Sequence, residues 1–116
     1  MNDKIEKEEY TLELENCIIC WDEKPETDVS DYAKKINDNY MENINSIAIA
    51  INKEIGDFFG KVFSVDELIS KLGKPQIYID NGQAVYCDHE LDQTHIISFE
   101  FLADDFSNIH YISIDG

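Results

Sequence analysis

Hydrophobic and polar residues alternate near the start of the chain. Tyr10, Leu12 and Leu14 are separated by single polar residues, which is the period of a strand with one buried face. The apolar run 17–21 either continues this strand or pairs with it as a second strand after a corner at 15–16. The pattern therefore predicts a strand or a hairpin before the turn residues that follow the run.

The middle of the chain has a longer period. Residues 29–55 carry apolar side chains at steps of three and four, which predicts an amphipathic helix. The pattern fits one helix of up to about 28 residues, or two helices broken near Asp38-Asn39. Within it, the segment 47–51 also alternates with period two, so a strand is an open alternative there.

Cap residues indicate where the helices begin and end. Asp28 and Ser30 are both candidate N-caps for the first helix, since their side chains accept hydrogen bonds from free amides. Ser64 and Glu67 have the spacing of a capping box. A short helix is therefore expected from there to Leu72, where the glycine that follows ends it.

The last part of the chain, residues 76–116, has the pattern of a β-meander. Asn81-Gly82 lies between two β-prone runs, and this pair favours a two-residue type I′ turn because both residues tolerate positive φ. Such a turn would pair Ile79 with Ala84. The same register would pair Ile77 with Tyr86 on that face.

These elements predict a single α+β domain over residues 1–116, with residues 1–8 as a loose lead-in. Two more strands are expected over 95–102 and 109–114, joined by a turn at 103–105. The predicted architecture is an antiparallel sheet of four to six strands, with one long or two shorter helices packed on one face. The N-terminal strand or hairpin joins or caps that sheet.

The net charge of the chain argues against some classes of binding partner. The sequence has 25 acidic and 9 basic side chains, for a formal net charge of −16 and a pI near 4.2. Such a field repels phosphate backbones and anionic lipid, so binding to nucleic acid or to a membrane surface is not expected. Without an apolar run of roughly 20 residues or the apolar centre of a signal peptide, a cytoplasmic location is expected. The sequence does not determine the oligomeric state.

The cysteines are one candidate for a redox or metal-binding site. Cys17, Cys20 and Cys87 are an odd number in a chain without an export signal, which favours reduced thiols. The first two form a CxxC pattern, but in a strand their side chains would point to opposite faces, so buried structural cysteines are favoured. A Cys₃His zinc site with His89 is the alternative. Its spacing lacks a glycine-bearing knuckle, so no metal and no cofactor are expected.

The histidines offer a second candidate. Residues 88–95 combine carboxylates with His89 and His95, from which a metal site or an acid/base pair could be built. The spacing is not HExxH, so we expect a solvated loop in which His95 bonds the neighbouring backbone. His110 is expected in the core, on the face of the apolar residues that follow it. With no nucleophile elbow or glycine-rich phosphate loop, the sequence indicates that the protein is not an enzyme.

The C-terminal half of the chain resembles a group of small bacterial domains. Three stretches carry the resemblance: Asp92 to Phe99, Asp104-Asp105, and Ile109 to Gly116. The most specific elements are a strand that begins at His95-Ile96 and the ending Asp115-Gly116, within residues 64–116. The group consists of domains of unknown function, of the type that includes immunity proteins of toxin systems. This resemblance implies a helical middle followed by a sheet, and it names no partner.

The leading hypothesis is a cytoplasmic immunity or inhibitor protein that binds and neutralises a basic toxin domain without catalysis. Complementary charge speeds association, and acidic residues in predicted turns are accessible to a partner. The candidate binding residues are Asp88, Glu90, Asp92, Asp104 and Asp105. Two alternatives stay open: a structural or regulatory binding module that could self-associate, and a metal-binding or redox protein that uses the cysteines.

Overall fold

Residues 9–115 are the part of the chain that the computed structural model describes. The predicted lead-in over residues 1–8 and the terminal Gly116 lie outside this range. The elements, in chain order, are β1 (Tyr10–Glu13), β2 (Ile18–Trp21), α1 (Ser30–Glu42), α2 (Ile44–Phe59), α3 (Val65–Leu72), β3 (Gln76–Tyr78), β4 (Gln83–Tyr86), β5 (Ile96–Phe101) and β6 (Ile109–Asp115).

The strands of the described range form one six-stranded sheet in the order β1 to β6. Every neighbouring pair is antiparallel except β2 and β3, which are parallel. Parallel neighbours need a long crossover, and all three helices lie in this connection. The predicted α+β class is confirmed, with two longer helices rather than one. No helix between residues 9 and 115 is long and apolar enough to cross a bilayer.

The first two helices are separated at Asn43, so the predicted break near Asp38-Asn39 is wrong. The side chain of Asn43 donates hydrogen bonds to the carbonyls of Asn39 and Asp105, at 2.9 and 2.7 Å. The bond to Asp105 is a tertiary contact, which helical periodicity cannot reveal. The segment 47–51 is helical, so the strand alternative there is wrong as well.

The third helix begins and ends as predicted. The Ser64 hydroxyl accepts a hydrogen bond from the Glu67 amide at 3.2 Å, and α3 ends at Leu72 before a glycine. The first helix begins at Ser30 after Val29, without a side-chain cap bond to the helix. Asp28 instead accepts a hydrogen bond from the amide of Ser30 at 2.9 Å.

The hairpin between β3 and β4 has a different register from the prediction. Ile77 pairs with Ala84, so the connection contains four residues, 79–82, instead of two. The amide of Ile79 donates to the carbonyl of Cys20 at 3.0 Å, which extends the parallel pairing toward β2 and removes Ile79 from the hairpin ladder. Because the shift is two residues, each side chain keeps its predicted face.

The buried core lies between the sheet and the helices. A row of side chains crosses the central strands in register and is fully buried, and it consists of Ile19, Ile77, Ala84 and Phe99. The helices cover it with buried side chains that recur along one face of each helix: Ala33, Ile36, Ile47, Ile51, Ile55, Leu68 and Leu72. This burial is the main driving force for the fold.

The last strand contains a bulge that changes the position of His110. Ser98 pairs with Ser113, but Glu100 pairs with His110, so β6 has one extra residue between these pairs. The extra residue lies at Tyr111, whose φ of 51° is unusual for a residue other than glycine. This extra residue reverses the alternation of side chains along β6. The Nε2 atom of His110 lies 3.9 Å from the Oε1 atom of Glu100, on the face of the sheet opposite the helices. The predicted core position of His110 is therefore wrong.

Candidate functional site

The two predicted acidic loops lie at opposite ends of β5. Residues 87–95 precede this strand and residues 102–108 follow it. A strand of six residues spans roughly 17–20 Å at the usual rise per residue. The structure therefore separates Asp88, Glu90 and Asp92 from Asp104 and Asp105, and the two groups do not form one continuous patch.

The loop after β5 is fastened to the first helix. The Tyr32 hydroxyl donates to the Asp104 carboxylate at 2.8 Å, and burial together with this neighbouring carboxylate raises the pKa of Tyr32. The Asn39 side chain donates to the Asp104 carbonyl at 3.2 Å. The Asn43 side chain also donates to the Asp105 carbonyl, so the loop is attached to α1 and the residue that follows it at three points. Asp104 and Asp105 are nevertheless exposed.

Phe106 anchors the same loop from inside. Its side chain is only 3% exposed, and its ring packs 4.9 Å from that of Phe101 and edge-on, at 5.8 Å, to that of Tyr40. Its φ of 57° allows the chain to turn here. The next amide and hydroxyl, those of Ser107, donate to Asp105 and lower the pKa of its carboxyl. Both carboxylates are thus exposed and held in position by hydrogen bonds.

Other loops bring further carboxylates to this end of the sheet. Because β2 and β3 are parallel, the segment after β2 and the β3–β4 loop lie at the same end. The amide of Asp22 donates to the Asp80 carboxylate at 2.7 Å. The carbonyl of Gly82 accepts from the amide of Phe101 at 2.9 Å, which joins the β3–β4 loop to the end of β5. We call the exposed carboxylates gathered here the acidic end: Asp22, Glu23, Asp80, Asp104 and Asp105.

The loop before β5 is folded around His89. This residue is only 7% exposed, so the expectation of a solvated loop is wrong at His89. Its Nδ1 accepts the amide of Leu91 at 3.1 Å, so Nε2 carries the proton that is donated to the carbonyl of His95 at 2.6 Å. The histidine that bonds the backbone is therefore His89, whereas the prediction assigned this role to His95.

Asp92 also helps to fold this loop. Its carboxylate accepts the amides of Thr94 and His95, at 3.1 and 2.9 Å, and contacts the His95 ring at 2.5 Å. Desolvation opposes ionisation, but these hydrogen bonds outweigh it and lower the pKa of Asp92. The carboxylates at Asp88 and Glu90 are exposed, and they are the part of this loop best placed to meet a partner.

The cysteines are not brought together. Cys17 is buried and its thiol lies 3.5 Å from the side-chain carbonyl of Asn37 in α1, on the helix side of the sheet. Cys20 follows the core residue Ile19 in β2 and points to the opposite side. Both nitrogens of His89 are engaged in the loop. Within residues 9–115, no group of three or more His, Cys, Asp or Glu side chains is arranged to hold a metal ion.

Thiol reactivity tests the placement of the cysteines. We expect Cys87 to react promptly with Ellman's reagent at pH 8, because it alone of the three is exposed. Cys17 and Cys20 should react only after unfolding, since burial raises the pKa of their thiols to about 12 and about 11 and the thiolate is the reactive form. Burial also raises the pKa of Cys87, so its rate should keep increasing above pH 8.5. Cys87→Ser should abolish the fast reaction, and prompt reaction of a second thiol would contradict the structure.

The positions of the lysines in the sequence also indicate an acidic surface. The chain contains no arginine, and its last lysine is Lys74. From residue 75 to residue 115 there are eight carboxylates and no lysine: Asp80, Asp88, Glu90, Asp92, Glu100, Asp104, Asp105 and Asp115. Both predicted acidic loops belong to this segment, which contains β3 to β6.

No protein-family model, curated protein or solved structure matches the chain significantly.

Proposed function

We propose that this protein is a cytoplasmic immunity or inhibitor protein that binds a basic toxin domain and neutralises it without catalysis. The observation that carries the proposal is the uniform charge of residues 75–115, where eight carboxylates and no lysine or arginine lie on the sheet and its loops. A toxin domain that acts on nucleic acid needs a cationic surface, because its substrate is a polyanion. An acidic inhibitor can occupy such a surface.

The fixed conformation of the acidic end supports this function. Ordering a mobile loop on binding costs free energy, and a loop that is already ordered avoids much of that cost. The loop with Asp104 and Asp105 is held by three side chains of the first helical region and by the buried ring of Phe106. Its carboxylates can therefore meet a cationic surface with little rearrangement.

The acidic end is expected to contribute more than the loop before β5. At the acidic end, Asp104 and Asp105 are joined by carboxylates from two other loops. In the other loop, Asp92 is engaged in internal hydrogen bonds, and the amide of Glu90 is bonded to the carbonyl of Lys71 in α3 at 2.7 Å. The field that attracts a basic partner should therefore be strongest around Asp104 and Asp105.

The association rate with a candidate partner tests this proposal. An immunity protein is expected to be encoded beside its toxin, so the partner to use is the basic domain encoded by the adjacent gene. We expect the rate constant to fall roughly tenfold as salt increases from about 0.05 M to about 0.5 M. Asp104→Asn with Asp105→Asn should slow association severalfold at low salt, and both amides still accept the loop hydrogen bonds.

A matched variant separates local from total charge. Asp66→Asn with Glu67→Gln removes the same two charges from exposed positions at the start of α3, and it should change the association rate less than the acidic-end variant. Asp88→Asn with Glu90→Gln should have an intermediate effect. Equal rates for all three variants and the parent, with the fold intact, would refute electrostatic capture through these loops.

A further inference from the structure

The end of α2 and the last strand form a groove with apolar walls. Phe58, Ile112 and Ile114 supply the apolar surface, and Glu54 and Asp57 supply carboxylates, around a space of about 210 Å³. The groove lies on the helix side of β6, against which α2 packs. Phe58 is 52% exposed, which is a large exposure for an aromatic side chain in a structured position.

The exposed ring of Phe58 is held in place by other rings. The ring of Phe59 lies edge-on at 4.9 Å, and the ring of His95 lies edge-on at 5.0 Å. His95 is itself fixed by Asp92 at 2.5 Å. Aromatic side chains that are ordered before binding are the typical anchors of protein interfaces, because they bury a large area at low entropic cost.

The strand beside the groove has an open edge. In the described part of the chain, β6 is the last strand of the sheet, and no strand pairs with its outer side. The bulge at Tyr111 disturbs its first half, but Ser113, Ile114 and Asp115 pair regularly with β5. An extended peptide can add to such an edge through backbone hydrogen bonds, while alternate side chains enter the neighbouring groove.

Charge determines which segment suits this surface. The charged side chains that line the groove are both carboxylates, Glu54 and Asp57, and Asp115 lies at the end of the same strand. A second copy of the chain would bring like charges together, with a net charge of −16 on each copy. A segment with lysine or arginine on either side of a large apolar side chain complements both the carboxylates and the apolar walls of the groove.

We propose that this groove binds an extended basic segment of the partner, which lies along Ile112–Asp115 and places one large apolar side chain against Phe58. The proposal rests on the proposed function for the identity of the partner, and it adds an apolar anchor to the acidic loops. The loops accelerate encounter, whereas the buried side chain slows dissociation.

A designed peptide tests the groove with the full chain. The probe is a labelled nonapeptide, Lys-Lys-Val-Lys-Phe-Lys-Val-Lys-Lys, and its control carries serine in place of phenylalanine. In anisotropy titrations at about 0.1 M salt, where screening is substantial, we expect the phenylalanine peptide to bind roughly tenfold more tightly than the control. Phe58→Ser should remove most of this difference, and Ile49→Ser, which changes a 59% exposed residue of the same helix, should preserve it.

Amide exchange and a second variant also test the groove. Amide exchange at Ile112–Asp115 should slow when the peptide binds. If Phe58→Ser is poorly folded, Glu54→Gln with Asp57→Asn should instead weaken peptide binding severalfold. Equal binding of both peptides, or equal effects of Phe58→Ser and Ile49→Ser, would overturn the groove proposal. A salt-sensitive complex with the basic toxin domain that Phe58→Ser does not weaken would also overturn it, and would leave the proposed function in place. Groove-specific peptide binding without any basic toxin partner would overturn the proposed function alone.

Discussion

Replacing Phe106 by alanine should lower the free energy of unfolding by about 3–5 kcal/mol, the usual range when a buried phenylalanine is truncated. The ring is almost completely buried and contacts the rings of Tyr40, Phe99 and Phe101. Its loss would leave a cavity beneath the loop that carries Asp104 and Asp105. Chemical denaturation measures the change, with Leu102→Ala, at a residue 70% exposed, as the matched control within about 0.5 kcal/mol.

A second substitution at this position tests the backbone conformation. A glycine normally makes a folded protein less stable than an alanine at the same position. At the φ of 57° found for Phe106, however, alanine is strained and glycine is not. Phe106→Gly should therefore be at least as stable as Phe106→Ala, although both lose the same ring. A loss below about 1 kcal/mol for Phe106→Ala, or a clearly less stable glycine variant, would contradict the position of this residue.

Replacing Tyr86 by phenylalanine should lower the free energy of unfolding by about 1–3 kcal/mol, the cost of an unpaired buried polar group. The hydroxyls of Tyr40 and Tyr86 are 2.5 Å apart in the core between α1 and the sheet. Burial raises the pKa of both residues, so both hydroxyls stay protonated and form a neutral hydrogen bond. Tyr86→Phe leaves the hydroxyl of Tyr40 without this partner.

The double variant separates pairing from packing. Tyr40→Phe with Tyr86→Phe removes both hydroxyls and leaves no unpaired group, so its stability should be close to that of the parent. The double-mutant cycle should thus give a favourable interaction between the two hydroxyls. Additive losses in the double variant would show that the hydroxyls do not depend on each other.

Periodicity predicted most elements because each pattern reports which side of a segment is buried. The strand at Tyr10 and the helix up to Leu72 follow directly from local spacing and a cap. The break at Asn43 and the register of Ile77 depend on bonds to Asp105 and to Cys20. These partners are distant in sequence, so local patterns do not contain them.

The candidate site was predicted only in part. Turn chemistry correctly placed Asp104 in a loop between the last two strands. It could not show which loops share an end of the sheet, because that depends on the parallel pairing of β2 and β3. It also could not distinguish Asp92, which is bonded within its loop, from the free carboxylate of Asp88. The groove at Phe58 was missed because its residues come from two distant elements.

Co-expression of the protein with the domain that the adjacent gene encodes tests the proposed function most directly. We expect that this domain is cationic, that co-expression restores growth, and that a stable complex is recovered at low salt. Asp104→Asn with Asp105→Asn should weaken this protection, whereas Asp66→Asn with Glu67→Gln should preserve it. An acidic or neutral neighbouring domain, or a cationic one that stays toxic and unbound beside the folded protein, would refute the proposed function.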